Sequence, residues 1–224
     1  MFKKFVYYFI FLSLIVLGCG GSESEDTQET NETAVYDRAE MLKHWADNII
    51  VPAYNSFFSY LNILDNKTKT FIASPNQSNL NDLRAAWLNS YKSWQHVEMF
   101  DIGKAEEIYY KSKMNIYPVD KAWLENSVST GTYDLDNANS YSSQGMPALD
   151  YLLNGVAATD NDIITKYTAN NKYKDYLTAV VAKMLSNTKT VVDDWLTYKA
   201  SFVSSTANTS TSSANKLIND FIYY

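Results

Sequence analysis

The chain has 224 residues, with 25 acidic against 19 basic side chains, two histidines, one cysteine and a formal net charge of −6. That balance excludes a nucleic-acid binder, which needs clustered basic residues to neutralise phosphates. A single cysteine excludes an internal disulfide. No glycine-rich phosphate loop, nucleophile elbow or paired-histidine zinc helix occurs in the chain.

Residues 1–18 read as a lipoprotein signal peptide. Lys3 and Lys4 form a basic start, and Phe5 to Leu17 is an apolar run well short of the roughly 20 residues a spanning helix needs. Val16-Leu17-Gly18 then leads into Cys19, the position of an acylated cysteine. Acyl chains contribute about 0.8 kcal/mol per buried methylene, so lipidation would anchor the chain to a membrane. Residues 19–34 continue Gly-Gly-Ser-Glu-Ser-Glu-Asp and stay polar without an apolar period, an acidic flexible tether. The acidic run either solvates the tether or acts as an export signal to the outer face of the outer membrane. Removing residues 1–18 takes away two lysines and no acids, so the net charge goes from −6 to −8. Residues 35–224 remain, enough for one domain with a sizeable core.

Sparse glycine and proline and long periodic segments predict an all-α, up-down helical bundle. A first helix is expected from about Tyr36 to Leu64, with Leu42, Trp45, Ile49, Ala53, Phe57, Tyr60 and Leu64 at three- or four-residue steps. Pro52 removes a backbone donor in its middle and should kink it. Residues 66–79 read as a polar connection. A second helix from about Asn79 to Phe100 carries the stripe Leu83, Trp87, Tyr91 and Trp94, whose tryptophans are both expected in the core. Residues 101–170 are less regular, with short helices around 119–126 and 147–154. A third long helix spans about Lys172 to Tyr198 and buries Leu177, Val180, Met184, Val191 and Trp195. After a serine and threonine run at 204–213, a helical pattern restarts with Leu217, Ile218, Phe221 and Ile222.

The most informative stretch is Gly145-Met-Pro-Ala-Leu-Asp-Tyr-Leu-Leu-Asn-Gly155. It predicts a short helix with Pro147 at its first position, Asp150 near the positive end of its dipole and Gly155 as the left-handed residue past its end. It also resembles the glycine-histidine-glutamate signature of the imelysin family: Gly145, Tyr151, Leu152, Leu153 and Gly155 fit. Asp150 stands where the glutamate would be, and Pro147 occupies the histidine position. Trp87, Trp94 and Glu98 are similar to the family's tryptophan-tryptophan-glutamate helix. Asn115-Ile-Tyr117-Pro118-Val-Asp120 resembles its Asn/Asp-x-Trp-Pro-x-Asp stretch, and His44 to Phe58 its opening helix. The resemblance implies a helical envelope protein, of a family with members described as metallopeptidases and others tied to iron uptake. Imelysin-like proteins commonly continue into a second helical bundle, so the chain is expected to be truncated at its C-terminus or to be a shortened member.

Glu98, Asp120 and Asp150 are the candidate ligand-binding residues. On a helix turning 100° per residue, Glu98 lies within about 60° of Trp87 and Trp94. A carboxylate on an apolar face needs a partner, a raised pKa or a cation. The competing reading puts Glu98 at a frayed helix end, and Asp120 and Asp150 in first turns where the dipole favours acids. The resemblance implies that the three acids converge on one cleft, where three oxygens could hold iron or another hard cation. His44 and His96 do not pair at metal-binding spacing, His96 is expected at the surface, and Pro147 offers no donor atom. The sequence therefore points to a binding module of the cell envelope, in the periplasm or at the surface. Its expected partners are the membrane, through Cys19, and an envelope or iron-uptake protein. The alternatives are a metal-dependent peptidase using Glu98 and Asp150, and a surface adhesion or scaffold module.

Overall fold

A computed structural model of the chain describes residues 37–223. Cys19 and the signal and tether segments expected at 1–34 lie outside the described residues. Every regular element among those described is helical, as the hydrophobic periodicity predicts. In chain order these are α1 (Arg38–Trp45), a π-helical turn (Ala46–Ile50), α2 (Val51–Ala73), α3 (Gln77–Trp94), α4 (Lys104–Glu107), α5 (Tyr110–Met114) and α6 (Lys121–Thr130). A 3-10 turn (Ala138–Ser143), α7 (Gly145–Asp150), a second π-helical turn (Tyr151–Gly155), α8 (Asp160–Ala169), α9 (Asn171–Ser204) and α10 (Ser213–Tyr223) follow.

Asp37 starts α1 as its cap, its carboxylate accepting from the backbone N–H of Ala39 at 2.9 Å and of Glu40 at 3.1 Å. The disturbance expected at Pro52 falls in the turn just before it, at Ala46–Ile50. Proline supplies no N–H to the preceding turn, and a widened π turn absorbs the missing bond. Beyond it the helix does not stop at Leu64 but runs to Ala73, so most of the polar connection expected at 66–79 is helix. The buried stripe Leu61, Leu64, Thr68, Phe71 keeps its spacing throughout. Only its solvent face turns polar, with Lys69 paired to Asp65 at 2.6 Å. The second helix is shorter than expected, starting at the Asn76 cap and ending at Trp94, so Glu98 lies in the turns beyond it.

The bundle is built on α2, α3 and α9. A three-residue connection folds α3 back along α2, and α9 packs along the other side of α2. α9 buries the five residues predicted for it and extends to Ser204. The shorter helices α5 to α8 close over α9 and α3. This cover is irregular, so its backbone carbonyls lack helical partners, and a buried carbonyl must find a donor elsewhere. Buried tyrosines supply several. Tyr54 of α2 donates to the Phe100 carbonyl at 2.9 Å, Tyr176 of α9 to Ser143 at 2.8 Å, and Tyr167 of α8 to Leu152 at 3.1 Å. Each ring adds apolar area while its hydroxyl pins a loop, a structural use for these three of the chain's 18 tyrosines.

The two tryptophans expected in one stripe separate. Trp94 is fully buried against Phe57 and Tyr110, with ring centroids 5.5 and 5.4 Å away. Trp87 is only half-buried, facing the short helices.

At the other end, α10 buries Ala214 and Leu217 but leaves Ile218, Phe221 and Ile222 exposed. With Ile49 and Trp45 they line an apolar groove of about 470 Å³. Among the described residues no helix is long and apolar enough to cross a membrane.

Candidate functional site

A cleft of about 550 Å³ opens between α3, the segment 115–121 and the helical run 145–155. The third wall depends on Gly145, whose φ is +75°. The chain leaves the 3-10 turn there and presses against the Met114 and Lys113 carbonyls, a backbone geometry and approach that favour glycine. The helix that follows starts at Gly145, so Pro147 is its third residue and not its first. Gly155 is not left-handed, since the positive-φ glycines among the described residues are Gly103, Gly131 and Gly145. Asp150 accordingly ends α7 instead of capping its positive end, and the run continues as the π turn Tyr151–Gly155.

A π turn leaves carbonyls out of the normal ladder, and such turns are frequent at functional sites. Arg84 of α3 holds this one. Its guanidinium donates twice to the Leu153 carbonyl, at 3.1 and 2.8 Å, and twice to the Asp160 carboxylate, at 3.0 and 2.7 Å. That fork, helped by Gln77, holds the Asp160 carboxyl below its usual range.

Of the residues singled out in the sequence, Trp87, Tyr91, Asn115, Tyr117, Pro118, Pro147, Asp150, Tyr151 and Gly155 line the cleft. The Trp87 indole N–H donates to the Met146 carbonyl at 3.1 Å, and its ring stacks on Tyr91 with 6° between planes. Tyr117 is 86% exposed at the rim. Asp150 is exposed and accepts from the Asn154 side chain at 2.9 Å. Pro147 puts a ring where the family signature has histidine.

The three candidate acids do not meet. Glu98 is buried at 8% exposure and accepts from the Asn115 amide at 3.3 Å, one residue removed from the cleft that Asn115 lines. Asp120 is the cap of α6, accepting from the Trp123 N–H at 2.9 Å, a helix-terminus role and not a ligand's. Among the described residues no group of three or more histidine, cysteine or acidic side chains is arranged to hold a metal ion. His44 and His96 are exposed, and His44 bonds Asn48.

Glu125 is a residue that sequence reasoning missed. Its carboxylate accepts from Tyr151 at 2.7 Å and from Tyr173 at 2.6 Å, and the Tyr173 hydroxyl accepts from Lys166 at 3.1 Å. Burial first, then the neighbouring Glu125, pushes both phenols well above their ordinary range, so Tyr151 stays a neutral donor. Lys121 lies over the Tyr151 ring at 5.3 Å. The wall of the cleft is thus fixed from behind by a charged network that spans three helices.

An all-α bundle with a cleft walled by these motif segments defines an imelysin-type architecture. The Imelysin family model matches residues 50–224, and the chain belongs to the imelysin family. It is 27% identical over 153 residues to iron-regulated protein A from Synechococcus elongatus, covering 65% of this chain and 39% of that protein. Its fold is similar to an imelysin-like protein from Psychrobacter arcticum 273-4, with a TM-score of 0.66 at 18% identity, over 84% of this chain and 59% of that one. It is also similar to a candidate iron-regulated protein A precursor from Parabacteroides distasonis ATCC 8503, with a TM-score of 0.65 at 19% identity, over 91% and 56% of the two chains. The chain thus spans less than two thirds of the length of each of these relatives.

Proposed function

We propose that the protein is a binding module of the cell envelope, in a system linked to iron supply, and that the cleft beside α3 is its ligand site. The observation that carries this reading is the meeting of three motif-bearing segments on one cleft, whose only lining acid among the described residues is Asp150. The family's histidine position holds a side chain with no donor atom, and Glu98, which does not line the cleft, spends an oxygen on Asn115. A peptidase of the metal-dependent kind needs ligands such as imidazole or thiolate beside its carboxylates. The link to iron rests on the curated relative, which is named for iron regulation.

Calorimetric titration of the metal-stripped protein with ferric, ferrous, zinc and calcium ions tests it, alongside Glu98→Gln and Asp150→Asn and a peptide-cleavage assay with and without EDTA. Zinc is expected to bind weakly, with no EDTA-sensitive cleavage. Micromolar zinc binding that both substitutions abolish, together with cleavage that EDTA stops, would restore the peptidase reading.

The position of Cys19 after Val16-Leu17-Gly18 supports an outer-membrane lipoprotein held by its acyl chains, with residues 20–34 as the spacer. Cys19→Ser is expected to move the protein from the detergent phase to the aqueous phase on partitioning. Retention of the variant in the membrane fraction would overturn the anchor.

A further inference from the structure

We infer that the ligand of this cleft is an uncharged, hydroxyl-rich chain of sugar units, an inference that rests on the cleft being the binding site. Its volume of about 550 Å³ lies within the roughly 300–1,000 Å³ of small-ligand sites. Four aromatic rings reach it, from Trp87, Tyr91, Tyr117 and Tyr151. A pyranose presents an apolar C–H face that such rings can cover, with hydroxyls around its edge.

The polar atoms decide between a sugar and other amphipathic ligands. The donor of Trp87 is spent on Met146 and that of Tyr151 on Glu125. One amide hydrogen of Asn115 goes to Glu98, and one of Asn154 goes to Asp150. The atoms left for a ligand are of both kinds: acceptors in the second carboxylate oxygen of Asp150 and the side-chain carbonyls of Asn115 and Asn154, and donors in the Lys121 ammonium, the Tyr91 and Tyr117 hydroxyls and the remaining amide hydrogens of the two asparagines. A proline-rich peptide offers mainly acceptors, so it could pair the donors of the lining but would leave the lining's acceptors unpaired at a cost. A hydroxyl rotates to donate where it must.

Charge points the same way. A cation would suit aromatic faces and acceptors, but Lys121 already stands over Tyr151 at 5.3 Å, and its ammonium would repel a second positive charge. Lys121 and Asp150 together leave the lining without net charge. A neutral sugar meets no repulsion from either, and the Lys121 ammonium can donate to its ring and hydroxyl oxygens.

The test is titration of the purified full chain with maltotriose, cellotriose, chitotriose and mannotriose, followed by calorimetry and saturation-transfer NMR, with a polyproline peptide and oligolysine as comparison probes. At least one trisaccharide is expected to bind. Tyr117→Ala and Asp150→Ala should each weaken it about tenfold or more, while Leu196→Ala, on an exposed part of α9, leaves it unchanged. Failure of all four trisaccharides to bind at about 10 mM overturns the sugar assignment, as does binding of polyproline or oligolysine that the two cleft substitutions abolish. In that second outcome the cleft remains the binding site. Trisaccharide binding that ignores both substitutions instead overturns the cleft as the site.

Discussion

Gly145→Ala is expected to destabilise the protein by about 2–5 kcal/mol, the sum of a left-handed backbone strain of about 1–2 kcal/mol and an overpacking cost of about 1–3 kcal/mol. The strain follows from φ of +75° at Gly145. The overpacking follows from the backbone that a Cβ would meet, which includes the Lys113 carbonyl oxygen at 2.9 Å and the Met114 carbonyl closer still. Neither obstacle is the end of a flexible side chain, so α5 and α7 would have to part. Gly131→Ala is the control. It has a similar φ of +73°, but its Cβ would meet only the Lys172 stem at 3.7 Å. A loss of about 1–2 kcal/mol is expected there, from strain alone. Urea unfolding at constant m-value measures both. Equal losses at the two glycines would show that α7 does not press on Met114 as described, and the third wall of the cleft would lose its support.

Gly145 illustrates how the sequence pattern relates to the structure. The family-like glycine is legible as a motif position, yet its reason is tertiary: the carbonyls it approaches belong to Met114 and Lys113, some thirty residues upstream in the chain. The long helices were legible because their apolar spacing is local, as in α9, where all five residues expected in the core are buried. The same signal failed at 66–73, where Thr68 and Phe71 alone continue the buried stripe among polar neighbours. It failed again at Glu98, because a periodicity carries no mark of the helix end at Trp94. Most of the motif residues do gather on one cleft. The convergence of three acids does not occur, since the chain uses Asp120 to cap α6 and Glu98 to hold Asn115. Glu125 was invisible for another reason: its partners Tyr151 and Tyr173 come from elements that meet only in the fold.

The two tryptophans give the second large effect and a check on which face of α3 is open. Trp94→Ala is expected to cost about 3–5 kcal/mol, as for aromatic truncation in a core, because the ring is fully buried between Phe57 and Tyr110. Its indole nitrogen has no hydrogen-bond partner among the described residues. Trp94→Phe should therefore recover most of the loss, since it keeps an aromatic ring while removing a buried donor that costs free energy unpaired. Trp87→Ala behaves differently. It gives up the apolar burial of a half-buried ring, and with it the stacking on Tyr91 and one bond to Met146, the last two together about 1–3 kcal/mol. Its larger consequence falls on binding, because the ring is part of the cleft wall. Chemical unfolding of the three variants separates the roles. A Trp87→Ala loss as large as that of Trp94→Ala would mean that both rings sit in one closed core, leaving no aromatic wall on α3 for a ligand to meet.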